Sequence, residues 1–472
     1  MVHANVPVLV WHGGNLMHRQ VIEKGDAMST AMSTAGDAAP KKAAFTSEEI
    51  AASEKMSGIY LRVAVGALLV NIAMAVSFTA MSFFTPVILG AFPEFTSSSF
   101  LVYYTLLGVS SALAMPVAGQ LVEKVKAQGL LIIGGIIAAV GLVIFGLSSS
   151  LWMFYLAGIV IGAGVGLSAQ YVPIVVVNRW FFKNKGTIMG VVLAGSGVGG
   201  MILGIGLPYL LDVAGWRVSA FFLAAFLAAF TILPALFLVR NSPLDHGIPG
   251  YGELAVSTDE AADSSGVEPG LRQKEAFQLP WFYVLIVSYV LFGMTYAMTQ
   301  HFVAYLSDTP WGIDVSPGKI SAVVITATLC LIVFKPLIGW LIDKMGLLPA
   351  MWLTLGVAGI AVFISAWVTY FIPYLLLIVI MSLGTSNGTV SPPLVAQAAF
   401  GQRDFAKIWG VLGMAYPIGL AVGTPLWGAF PDKLGTYGWG FVLVPFVTVI
   451  FMLGFTLSVK NTRKLWAKNP KQ

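Results

Sequence analysis

The stretch PVAGQLVEK, residues 116–124, returns 220 residues later as PLIGWLIDK, residues 336–344. Pro116 meets Pro336, Gly119 meets Gly339, Leu121 meets Leu341, Glu123 meets Asp343 and Lys124 meets Lys344. Coincident Gly and Leu arise easily in so apolar a chain. A proline, an acid and a lysine in the same spacing do not. The same offset pairs Gly164 and Pro173 with Gly384 and Pro393, Gly190 and Val191 with Gly410 and Val411, Gly199 with Gly419, and Asp212 with Asp432. The chain is therefore read as two related halves.

Each half is a series of membrane spans. The 472 residues are 57% hydrophobic and 10% charged, against roughly a quarter charged in soluble domains. Mean hydropathy is +0.85. A span needs about 20 mostly apolar residues. Twelve such stretches are read, at about 62–90, 99–122, 129–148, 151–177, 187–211 and 216–239 in the first half. In the second they lie at 281–306, 317–342, 347–369, 371–398, 405–430 and 437–459. The backbone of a spanning segment must satisfy its own hydrogen bonds, which leaves helices or a closed barrel. The alternating ten-residue segments of a barrel are absent. The predicted fold is all-α: twelve transmembrane helices in two pseudo-symmetric six-helix bundles.

With both ends on one side, the loops on that side carry 11 Lys/Arg and the opposite loops 3, namely Arg217, Lys319 and Lys433. This bias puts both termini in the cytoplasm, and the cell (inner) membrane is the expected location. Residues 1–57 are expected to be a disordered cytoplasmic tail, with translation starting at Met1, Met28 or Met56. The bundles are placed at 58–240 and 280–460. Residues 241–279, rich in acids, Gly, Pro and Ser, are read as a solvated cytoplasmic linker, and 461–472 as a cytoplasmic tail. The net charge of +5 sits in loops and tails, as topology demands, so no nucleic-acid partner is expected. Cys330 is the sole cysteine, which rules out an intrachain disulfide or a thiolate metal cluster. No metal and no cofactor are expected. The runs Gly162–Gly166 and Gly195–Gly200 lie within apolar spans with no Gly-Lys-Ser/Thr behind them. They serve close helix packing rather than phosphate binding. Without an ATPase motif, transport should be secondary.

Parallel repeats of this kind mark carriers with a midplane site between the halves. The two GxLx(E/D)K motifs resemble the loop motif of the major facilitator superfamily. A narrower resemblance is to bacterial monocarboxylate and oxalate/formate transporter-like proteins. It rests on Phe92-Pro93-Glu94-Phe95, Arg179-Trp180-Phe181 with Lys185-Gly186, and the glycine-rich fifth helix. It rests also on His301 followed by Tyr305, Leu306 and Asp308, and on Lys335-Pro336 followed by Gly339 and Asp343. The resemblance implies that the helix-8 cation binds a substrate carboxylate. The helix-8 acid often used for proton coupling, four positions earlier, is Leu331 here. Glu123 stands where the usual motif has Asp, and the Gly and basic residues that normally follow are missing.

All 21 acids fall in tails, loops or span ends, and Lys335 is the strongly charged residue inside a span. Its repeat partner is Met115. Intramembrane charge is costly and usually faces a cavity. Contact with an anionic substrate is one reading of Lys335; snorkelling to the headgroups on its long stem is the other. His301 is read as a proton or gate residue, or as a helix-end histidine bonded locally. Larger polar groups are costlier to leave unpaired, so Asn387, Gln170, Tyr296, Gln300 and Tyr416 are the other candidate substrate ligands, with Asn71 and Tyr103 behind them. Gly119, Glu123, Lys124, Arg179, Gly339, Asp343 and Lys344 form the candidate conformational switch. An acid there can cap a helix N-terminus or pair with a base and hold one conformer. The expected function is secondary transport of small organic anions, mono- or dicarboxylates, by antiport or proton coupling, from a functional monomer in the lipid bilayer. Export of a lipophilic or drug-like solute, or a non-transporting sensor on the same fold, are the alternatives. No enzyme is expected, because the spans hold no cluster of acids, histidines or thiols.

Overall fold

The computed structural model describes residues 53–253, 269–298, 317–368 and 370–467. Among these, ten helices are long and apolar enough to cross a membrane. Two of the ten belong to Ser97–Leu147 and Lys185–Phe237, of 51 and 53 residues. At 1.5 Å per residue either would run about 75–80 Å, more than twice the ~30 Å hydrocarbon core. Each is interrupted by a residue with positive φ, Lys126 at 62° and Gly215 at 76°. Each is therefore two passes, and the ten become twelve.

In chain order, α1 covers 58–91, with a π-helical turn at Val76–Ala80 between Gly58–Ala75 and Met81–Ala91. The helices α2 (97–125) and α3 (127–147) follow, then α4 (151–180), α5 (185–214) and α6 (216–237). The second half holds α7 (Pro280–Ala297), α8 (Pro317–Met345), α9 (Leu347–Ser365), α10 (Phe371–Phe400), α11 (405–434) and α12 (Gly438–Ala467). The helices of the second half begin within a few residues of the predicted spans, and α12 runs on to Ala467, eight residues past its expected end at 459. Three departures matter. The π turn in α1 is one, and a break at Met414 in α11 is another. The third is the opening of α4 at 168–171 between Leu151–Leu167 and Val172–Trp180, which the run of apolar residues hides.

Glycine sets the packing of the first half. A Cβ added at Gly158, Gly162 or Gly166 would stand 2.6, 2.2 or 2.3 Å from the carbonyl oxygen of Tyr103, Leu107 or Ser111. So α4 lies backbone to backbone along α2, in register turn by turn, as small residues allow in lipid.

One buried core joins both halves, from Tyr60, Met115 and Trp180 to Ile338, Trp409 and Phe455. It lies toward the end that carries the basic loops. A second core holds only residues 73–227, and a third only residues 297–444. Among the described residues the halves thus share a core at one end and keep separate cores at the other.

The solvated linker is corrected at its ends. Tyr251 pairs as an isolated β-bridge with Phe181, and Gly270 with Gly401. These are repeat-equivalent loops, again 220 apart. Tyr251 is buried against Tyr60 and Phe181, and the Tyr60 hydroxyl donates to the Pro249 carbonyl at 2.7 Å. Buried Ser53, expected in a disordered tail, accepts from Gly252 N–H at 3.0 Å. Each half therefore grips one end of the linker.

Candidate functional site

A cleft of about 580 Å³, part of it open, lies between the halves. From α1, α2, α4 and α5 it is lined by Asn71, Met74, Met115, Gln170, Ile174, Leu193 and Ser196. The second half adds Lys335, Gly388, Thr389, Pro392, Trp409, Gly413 and Tyr416. Of the predicted ligands, Lys335, Gln170 and Tyr416 come together here, and so does Asn71. No Asp or Glu is in this lining.

Lys335 is 3% exposed, so it does not snorkel to the surface. Its Nζ donates to the Leu193 carbonyl at 3.0 Å and the Ser196 hydroxyl at 2.7 Å, both on α5. Asn71 Oδ1 accepts from Ser196 N–H at 3.0 Å, so α1, α5 and α8 meet at this ammonium. Both acceptors are neutral, so when protonated Lys335 has no counter-charge within the cleft lining. An ammonium in a low-dielectric site without a counter-charge favours an anion beside it. Gln170 reaches the cleft because α4 unwinds there. The Ser111 hydroxyl donates to its Oε1, which leaves the amide N–H₂ as its other hydrogen-bonding group.

Below the cleft, at the basic end, α5 and α8 almost touch. A Cβ on Gly339 would be 2.0 Å from the Gly186 carbonyl oxygen, and one on Gly190 2.2 Å from that of Lys335. Asp343 closes this crossing. Its carboxylate accepts from Gly186 N–H at 2.8 Å, Thr187 N–H at 2.7 Å and the Thr187 hydroxyl at 2.6 Å. The preceding residue, Asn184, makes no side-chain cap. An acid from the other half therefore caps α5, where orphan N–H groups and the helix dipole favour negative charge.

The profile of the Major Facilitator Superfamily matches residues 67–312 and 310–472. The chain belongs to the major facilitator superfamily. This facilitator is 26% identical to human monocarboxylate transporter 11 over 344 residues, 70% of this chain and 68% of that one. Human monocarboxylate transporter 12 is 25% identical over 389 residues, 76% of this chain and 73% of the relative. In fold it is similar to the proton:xylose symporter XylE, with TM-score 0.67 at 14% identity, covering 86% of this chain and 98% of the symporter. The human organic anion transporter MFSD10 gives TM-score 0.61 at 16% identity, covering 85% and 100%. The facilitator is a multi-pass membrane transporter.

The remaining candidates in this facilitator are placed differently. Asn387 is not among the cleft residues. Its Nδ2 donates to Thr354 Oγ1 at 2.8 Å and the Leu383 carbonyl at 3.1 Å, and its Oδ1 accepts from Ser391 at 2.6 Å. It ties α9 to α10, and its hydrogen bonding is spent. Tyr296 lines a separate apolar cavity inside the second half, and its ring meets Tyr416 edge-on at 5.6 Å. Tyr103 is fully buried, with its hydroxyl on the Met81 carbonyl. Glu123 pairs with Arg179 at 2.5 Å within its own half, while Lys124 and Lys344 are exposed. Gln300 and His301 lie outside the described residues, as do Tyr305, Leu306 and Asp308. Sequence reading missed Trp409, Ser196 and the carbonyl of Leu193. A tryptophan among 13 and a serine in a glycine run carry no signal until the chain is folded. Among the described residues no group of His, Cys, Asp and Glu is arranged to hold a metal ion.

Proposed function

We propose that this facilitator carries small organic anions, mono- or dicarboxylates, by alternating access, with Lys335 as the charge that binds them. The observation that carries this reading is a buried lysine amine in a cleft between the halves whose lining holds no acid. A carboxylate supplies the missing counter-charge through a short, charge-assisted hydrogen bond. The relatives named monocarboxylate transporters agree with that chemistry.

The shared core at the basic end and the Asp343 cap describe a carrier closed at that face. With that face in the cytoplasm of the inner cell membrane, as the Lys/Arg bias favours, this is an outward-facing state. A single chain supplies the whole cleft, which supports a monomer as the working unit. Leu331 stands where a coupling acid would be, so antiport is favoured over carboxylate-mediated proton symport.

The test is uptake into liposomes holding purified protein, with lactate, formate, oxalate and larger carboxylates at two pH values. Saturable uptake of at least one is expected, abolished in Lys335→Met and partly kept in Lys335→Arg. Full uptake by Lys335→Met removes the anion site and leaves export of a lipophilic solute as the better account. Binding without flux identifies a sensor.

A further inference from the structure

The cleft contains a second set of hydrogen-bonding groups, on α11. The indole Nε1 of Trp409 and the hydroxyl of Tyr416 are both buried and both belong to cleft-lining residues; the hydroxyl is engaged with Tyr296, while the indole has no hydrogen-bond partner. Trp409 as a whole is 4% exposed. Buried polar groups are paired in the great majority of cases, so an orphan indole at a cleft requires a reason. An indole N–H only donates. What is absent is an acceptor.

Two glycines frame these groups. A Cβ on Gly413 would lie 3.2 Å from Cε2 and Cζ2 of Trp409, the indole edge that carries Nε1, and 2.4 Å from Met115 Cε. A Cβ on Gly388 would lie 2.8 Å from the Tyr416 hydroxyl oxygen. Both glycines line the cleft. The Trp409 ring is held flat on Phe405, 2° from parallel at 6.4 Å, and edge-on to Tyr289 at 6.5 Å. Its N–H is thus fixed in direction.

The repeat sharpens the contrast. Leu193 and Ser196, which hold Lys335, correspond to Gly413 and Tyr416, and Lys335 corresponds to Met115. In one copy the polar groups of the helix are occupied by the lysine. In the other a thioether stands in the lysine's place, and the Trp409 indole donor is unspent.

Resting on the anion-carrier reading, we propose that Trp409 contacts the substrate, donating its indole N–H to a substrate oxygen atom in the same cleft as Lys335. Lys335 then supplies charge, and α11 supplies direction.

The experiment uses full-length protein in liposomes and uptake of radiolabelled L-lactate, benzoate and oxalate. Trp409→Phe keeps the ring and removes the donor. It should raise KM about tenfold with maximal rate within twofold. The melting temperature of the empty variant should equal or exceed that of the wild type, because no protein hydrogen bond is lost. Gly413→Ala should mimic Trp409→Phe in KM. An unchanged KM in Trp409→Phe, with uptake still abolished by Lys335→Met, overturns this inference alone. No uptake of any of the three anions, or uptake indifferent to Lys335→Met, overturns the carrier reading and this inference with it. A lower melting temperature with unchanged KM assigns Trp409 to packing and also overturns it.

Discussion

The two copies of the repeated motif occupy equivalent places and bind the opposite half differently. On α8, Lys335 and Asp343 both reach across to α5 through side-chain hydrogen bonds. On α2, Met115 meets Gly413 through a methyl group, and Glu123 turns back to Arg179 in its own half. The crossing that does join α2 and α11 is backbone packing at Gly119, supported by Tyr171 donating to the Ala406 carbonyl at 2.7 Å. The same scaffold thus serves once as a charged latch and once as an apolar bearing. The charged side chains that bridge the halves are concentrated in one copy, and the other joins them through backbone packing and the neutral Tyr171 hydrogen bond.

The largest effect expected from this difference is at the paired positions 335 and 115. Removing one partner of a buried, hydrogen-bonded charge pair costs about 2–5 kcal/mol, so Lys335→Met should lower anion uptake by about a hundredfold or more. Met115→Leu should leave uptake within about threefold, since volume-conserving apolar swaps cost less than about 1.5 kcal/mol. Equal losses in liposome uptake would erase the distinction between the copies. The glycines come next. Gly339→Ala forces a Cβ to 2.0 Å from the Gly186 oxygen, whereas Gly119→Ala brings one to 3.0 Å from the Ala406 oxygen. Overpacking costs about 1–3 kcal/mol, and the larger loss of melting temperature in detergent should belong to Gly339→Ala. If Gly119→Ala melts as low, α2 and α11 are packed as tightly as α5 and α8.

A smaller effect separates the two acids. Asp343 caps a helix of the other half, and loss of a cap costs about 1 kcal/mol. Asp343→Ala should therefore shift the population of the closed basic face about fivefold. Glu123 and Arg179 are side chains of one half, 52% and 19% exposed, and move together, so Glu123→Ala should not shift it. The readout is a cysteine at Thr389 in a Cys330→Ser background, labelled from the basic face. Labelling should rise several-fold in the first variant and stay level in the second.

Much of this was legible in the sequence because the bilayer leaves few choices. Apolar length gave the twelve passes, and the 220-residue offset paired the halves. Lys335 was legible because charge within a span is rare, and Asp343 because it repeats. What sequence reading could not reach depends on direction. Asn387 and Gln170 are similar amides in similar helices, yet one faces Thr354 inside its bundle and the other the cleft. The difference comes from the unwinding of α4 at 168–171, which no residue type there announces. The linker ends were misread for a related reason. Gly, Pro and acids describe a solvated chain on average, but Tyr251 and Gly270 find backbone partners at Phe181 and Gly401. Composition does not reveal such local pairing.

The smallest expected effect is also the most informative about mechanism. In the empty cleft Lys335 is held by the Leu193 carbonyl and the Ser196 hydroxyl, so on the proposed reading an arriving anion would compete with α5 for Lys335. The same bonds join the halves. An empty carrier therefore keeps a tie that a loaded carrier can exchange for contacts with its substrate, and movement with substrate bound should be easier than movement without it. That asymmetry is what the proposed antiport requires. Ser196→Ala removes one of the two ties and leaves the Leu193 carbonyl. A single hydrogen bond to a charged group contributes about 1.5–3 kcal/mol, but part of that is regained by the substrate or by water entering the cleft. A rise of about threefold in anion affinity is expected, together with a fall in the ratio of exchange to net uptake, measured with and without the same anion inside the liposome. If Ser196→Ala weakens affinity instead, Ser196 positions Lys335 for the substrate rather than competing with it. The two copies would then differ in how they present a ligand, not in how they hold the halves together.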